Sequence, residues 1–212
     1  NIPMFKNGLV FPFGLGFWGP NTHDGIWHVA LINNWVKSIT PENPIFAGQV
    51  LKNYHFFYDL LVALTHFFTQ IPILDLVFRF YPILFSLSLG IGTYYLVNKL
   101  FEEKWGVLTT KIASLFSIYL VYFAGSFGWI VSFIKEGNLA GESAFWANQS
   151  ISYNLNPPFA VSLLIIIALI YILSSKLDKK TLFLSTILTG ALIGFKAYGA
   201  ILVLVSLLFV GL

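Results

Sequence analysis

The stretch HDGIWH sets Asp24 between His23 and His28, and NYHFFYDLLVALTH further on carries His55, Asp59 and His66. Asp24 and His28 are four apart, so a helix beginning at Asp24 puts both on one face. A carboxylate and an imidazole held together can act as a general base, and two such pairs can hold a divalent cation. The plainer alternative is a helix-capping aspartate with an interfacial histidine. The histidines fit no zinc-protease spacing, so a structural zinc is not expected. With no cysteine in the chain, disulfides and thiolate metal sites are excluded.

These residues sit in an unusually apolar chain. Only 10% of it is charged, against about 25% in a soluble domain, while 57% is hydrophobic and 18% aromatic. That leaves too little charge to cover a water-facing surface, so lipid is the expected solvent for much of the chain. The twelve basic residues give a net charge of +3 but form no block, which argues against a nucleic-acid partner. The chain starts at Asn1 and stops inside ILVLVSLLFVGL, and reads as a fragment. Gly8–Trp18 is broken by Pro12 and lacks a basic start, so it is expected to be a membrane-surface loop rather than a signal peptide.

A helix needs about 20 apolar residues to cross the hydrocarbon. Phe78–Val97 and Gly106–Val131 read as two spans, Phe159–Ser175 as a third, and Thr181–Phe195 and Tyr198–Leu212 as a fourth and a partial fifth. Lys99, Lys104 and Lys111 flank one connection, and Lys176, Lys179 and Lys180 crowd another, which places both in the cytoplasm. Residues 132–158 and the Lys196 junction then face outside. The expected fold is all-α and polytopic, with residues 1–74 as an external loop and 75–212 as a transmembrane bundle.

Gly25–Ser38 and Asn53–Gln70 are the expected surface helices of that loop. Thr22 or Asp24 can cap the first, and Pro41 follows its end. At 100° per residue, His55, Asp59 and His66 fall within about 40° of one another, opposite Phe56, Leu60, Leu64 and Phe68. Such a stripe suits a helix lying in the interface, its polar side toward water.

Lys52, Arg79 and Lys196 all fall on the outer side, where three cations can hold a phosphate. Snorkelling of Lys196, or pairing of Arg79 with Asp75, are the structural alternatives. In the outer loop, Trp146, Gln149 and Asn154 offer ring stacking and hydrogen bonds to a sugar.

In this order the pieces resemble the GT-C superfamily of integral-membrane glycosyltransferases, in particular enzymes related to protein O-mannosyltransferases and aminoarabinose lipid A transferases. HDGIWHVALINNWVKS is similar to the family's external acid and first surface helix. NPIFAGQVLKNYHFFYDLLVAL is similar to its link and second surface helix, FRFYPILFSLSLGIGTYYLVNKLF to its Arg-led span, and TGALIGFKAYGAILVLV to a late stretch pointing to Lys196. The second acid of many members is Gly25 here, and the usual signature of the second surface helix is replaced by KNYHFFYD.

The resemblance implies a bacterial inner-membrane enzyme of the cell envelope with its site facing the periplasm. It would move a sugar from a polyprenyl-phosphate donor to a lipid, glycan or protein acceptor, with inversion. Asp24 would be the base, with His28 beside it, and Arg79, Lys196 and Lys52 would hold the phosphate. His55 and Asp59 would support Asp24 or bind a divalent metal cation, the one cofactor suggested. The rival reading is a transporter or flippase for an anionic lipid or solute, to which Gly90 and Gly92 lend a hint of a broken helix. A structural subunit without a site is the third.

Overall fold

In a computed structural model, described over residues 2–124, 127–138 and 149–211, the chain is mostly helical with almost no strand. It begins with a short helix α1 (Ile2–Phe5) and a hairpin of β1 (Leu9–Phe11) and β2 (Gly14–Gly16). Helices α2 (Asp24–Lys37) and α3 (Phe57–Thr69) follow. A single turn α4 (Ile73–Asp75) then passes through a π-helical turn at Leu76–Phe80 into α5 (Tyr81–Trp105). The remaining elements are α6 (Val107–Phe123), α7 (Gly128–Glu136), α8 (Gln149–Leu155), α9 (Pro157–Leu173), α10 (Lys179–Phe195) and α11 (Ala197–Val210).

Local chemistry sets the boundaries. Gly106, at φ 76°, ends α5 and joins it directly to α6. Asn156 caps α9 by accepting from Phe159 N–H, with Pro157 and Pro158 in the first turn, where their missing N–H groups matter least. Asp178 caps α10 by accepting from Thr181 N–H at 2.7 Å. Lys196 is extended, at φ −160° and ψ 107°, and breaks the apolar stretch into α10 and α11.

One core runs through both halves of the sequence. Met4, Ile32, Tyr58 and Val62 from the amino-terminal part pack with Phe85 and Val161 from the bundle. Away from that core the usual pattern of a soluble protein is inverted. Thr110, Ser114, Ser162, Ser185 and Thr189 are buried between helices, while Leu108, Phe116, Phe123, Leu208 and Phe209 point outward. Small hydroxylated residues between helices and large apolar ones outside suit a lipid solvent.

The continuous helix Ile73–Trp105, of 33 residues, is long and apolar enough to cross a membrane. Phe57–Thr69, Val107–Phe123, Pro157–Leu173 and Ala197–Val210 are shorter apolar helices. The expected span Gly106–Val131 is interrupted, because α6 stops at Phe123 and α7 starts afresh at Gly128.

Two further expectations are corrected. Gly90 and Gly92 do not break α5; the absence of a side chain at Gly90 admits Tyr122, whose hydroxyl donates to the Ser86 carbonyl. The second surface helix starts at Phe57, so His55 precedes it, and its polar stripe turns inward. Asp59 is wholly buried, whereas Leu61, Leu64, Phe67 and Phe68 face out. The reason is that Asp59 has a partner inside, and the opposite face is apolar enough for lipid.

A Cβ on Gly90 would lie 2.5 Å from the Tyr122 hydroxyl oxygen, whereas one on Gly190 would meet nothing within 4 Å. Overpacking of this kind costs about 1–3 kcal/mol. Gly90→Val should therefore lower the midpoint of thermal unfolding in detergent clearly more than Gly190→Val does.

Candidate functional site

Helix α2 brings Asp24, Trp27 and His28 to one end of the fold. Its first turn carries Asp24, where a negative charge suits the positive end of the helix dipole. Asp24 accepts from His23 Nδ1 at 2.9 Å, and both side chains are open to solvent. His28 does not join Asp24, as their spacing suggested. It turns inward and its Nδ1 lies 2.7 Å from Asp59 Oδ1 on α3. The Tyr58 ring stands edge-on to the imidazole at 5.6 Å. Burial raises the Asp59 carboxyl above its ordinary range, and the His28 hydrogen bond opposes that shift. Asp59 Oδ2 is buried with no hydrogen-bond partner among the described residues.

The second half of the site is built around Lys196. Its Nζ lies 3.3 Å from His55 Nε2 and 3.3 Å from Asn156 Oδ1, with the Tyr198 ring centroid 5.6 Å away. Three chain segments meet here: the link before α3, the cap of α9 and the junction of α10 with α11. An ammonium has three donors, and no other acceptor meets this one among the described residues. Burial lowers the Lys196 pKa, and the nearby negative charge of Asp24 raises it in part. The two halves of the site therefore share one electrostatic environment.

His55 is stacked on Tyr54, with ring centroids 4.5 Å apart, and Tyr54 meets Trp27 edge-on at 5.6 Å. The His55 pKa is lowered to about 4, first by burial, then by Lys196 and His28. A neutral His55 can accept the proton that Lys196 offers, and two cations are never forced together. Tyr54 is pushed up to about 12, mainly by burial and then by Asp59.

Arg79 has other partners. Its guanidinium donates to the carbonyls of Leu74 at 3.1 Å and Phe5 at 3.3 Å and lies 3.5 Å from Asp75. It fastens α1 to the start of the long helix, and the structural alternative read from the Asp75 spacing describes it. Lys52 is exposed in the link before α3. Asn154 is half-buried in α8, whereas Trp146 and the side chain of Gln149 lie outside the described residues. Among the described residues no three acidic or imidazole side chains gather to hold a metal. His28 is bonded to Asp59 and His55 to a lysine, which repels a cation, so a divalent ion does not fit this arrangement.

Asn156 was missed from the sequence, although Asn-Pro-Pro marks it as a helix cap. Nothing local in the sequence says that such a cap will also meet a lysine forty residues later. Compared with protein families, curated proteins and solved structures, the chain matches none.

A histidine whose pKa falls on folding favours the folded state above its unfolded value, and that contribution is lost as pH drops toward the folded value. For His55 the window runs from the ordinary 6.5 down to about 4. Thermal unfolding in detergent should thus show stability falling between pH 7 and pH 4.5. His55→Gln, which keeps an acceptor for Lys196, should flatten that slope.

Proposed function

We propose that this chain belongs to a polytopic plasma-membrane glycosyltransferase resembling the GT-C superfamily. It would transfer a sugar from a polyprenyl-phosphate donor to a hydroxyl-bearing acceptor at the outer face. The observation that carries the reading is Lys196, a half-buried cation with two neutral acceptors, a third donor that meets no acceptor among the described residues, and the charge of Asp24 close by. Such a cation suits a phosphate whose charge grows as it departs. The acceptor oxygen would attack the anomeric carbon from the side opposite the phosphate while its proton passes to the Asp24–His28 end of α2. The bond from that carbon to the phosphate oxygen breaks, with its electron pair left on the phosphate. Lys196 steadies that charge, while His55 and Asn156 hold the ammonium in place. Lys52 adds positive charge from its exposed link, and Asn154 is the remaining candidate for a sugar contact.

The polytopic reading rests on the helix ends. Asn156 opens α9 and Lys196 closes α10, whereas the lysine-rich turn 176–180 lies at the opposite ends of those two helices. Under the positive-inside rule, that turn is cytoplasmic and the Lys196 group is outside. Buried hydroxyl residues and outward apolar ones are what several packed spans require. The transporter reading has lost its broken-helix hint now that α5 runs straight through Gly90 and Gly92.

Since the chain lacks cysteine, sidedness is simple to measure. Thr22→Cys should react with an impermeant maleimide from outside intact cells, and Leu177→Cys only after permeabilisation; the reverse pattern removes the proposed topology.

For the activity, proteoliposomes should transfer label from an undecaprenyl-phosphate-linked hexose or aminoarabinose to a hydroxyl acceptor. Lys196→Met should lower kcat by about 10²–10³-fold. Asp24→Asn should also slow turnover while leaving binding of undecaprenyl phosphate intact. Movement of the labelled lipid across the bilayer with no sugar transfer would favour the transporter instead.

A further inference from the structure

The site holds two groups able to take a proton, and their surroundings differ. Asp24 is half-exposed, is engaged by His23 and lends its charge to Lys196. His28 is only 6% exposed, and its Nδ1 is fixed on a fully buried carboxylate. The nitrogen on the far side of the ring, Nε2, makes no hydrogen bond among the described residues. Nε2 is not among the fully buried unpartnered atoms, so it keeps the narrow opening through which His28 remains 6% exposed. An imidazole held by a carboxylate at Nδ1, with Nε2 open, is the arrangement of an oriented general base. We propose that His28, oriented by Asp59, is the catalytic base that takes the acceptor's proton at Nε2, and that Asp24 serves Lys196 instead.

The proposal rests on the transferase reading given above and assigns its base. Tyr58 and Asp59 on α3 lie directly against His28, and His55 in the link is near enough to feel its charge, with Lys196 beyond His55. Asp59 is the acidic group in direct contact with the ring. In the reaction the acceptor O–H gives its proton to Nε2, the oxygen bonds to the anomeric carbon, and the carbon–phosphate oxygen bond breaks. His28 becomes an imidazolium stabilised by Asp59 and later returns the proton to water. Asp59 is then a positioning residue, and its buried Oδ1 keeps the ring in the tautomer that leaves Nε2 free.

Asparagine places its amide nitrogen where Nδ1 of histidine stands. His28→Asn thus keeps the donor to Asp59 and removes only Nε2. In proteoliposomes with an undecaprenyl-phosphate sugar, this variant should lose about 10²–10⁴-fold in kcat, the usual worth of a general base. Its binding of undecaprenyl phosphate should be unchanged, and the acid limb of the kcat/KM profile should vanish from the residual activity. Asp59→Asn retains an acceptor for Nδ1 but loses the charge, and should lower kcat with donor KM unmoved. If His28→Asn unfolds in detergent, Asp59→Asn decides the matter through the same kcat-against-KM split. Wild-type turnover with His28→Asn within threefold of it and Asp24→Asn inactive would overturn the proposal while leaving the transferase reading standing. No sugar transfer by the wild-type protein would instead remove that reading itself.

Discussion

The contact between His28 and Asp59 is the constraint on which the arrangement depends. A carboxylate taken wholly out of solvent is tolerated only with a partner. Asp59 finds one on α2, at 2.7 Å, and so ties α2 to α3 at a fixed register. That register places Asp24 one turn above the pair and delivers the link carrying Tyr54 and His55 to the end of the bundle. Apolar packing of Leu31 and Ile32 also holds α2, but the tie is the polar contact that fixes its register against α3.

The second organising influence is the solvent. Outward-facing Phe, Leu and Ile on α3, α6 and α11, with serine and threonine between helices, reverse the distribution expected in water. The same reversal explains α3. Its exposed stripe is apolar, and its one acidic residue faces in because a partner is waiting there. Lys196 is costly in such surroundings, which is why its ammonium is met by His55, Asn156 and the Tyr198 ring.

Much of the architecture was legible in the sequence, because helix signals are local. Asn-Pro-Pro opens α9, Asp178 opens α10, Gly106 separates α5 from α6, and long apolar runs mark the helices between. The interruption after Phe123 was not legible, since hydropathy continues past Ala124 even though the helix does not. The inward turn of Asp59 was also hidden. A helical stripe says which residues share a face, but not whether water or another helix lies opposite it.

The sequence by itself determined the helical class, the apolar character of the chain and the residue types available for chemistry, because composition and short-range spacing carry those properties. Which of those residues meet was decided by tertiary structure. Spacing suggested Asp24 with His28, and the expected topology grouped Arg79 with Lys196 on the outer side. Packing instead joined His28 to Asp59, His55 to Lys196 and Asn156, and Arg79 to the backbone of Phe5. Partners drawn from separate helices depend on how those helices cross, and no local pattern of residues encodes the crossing.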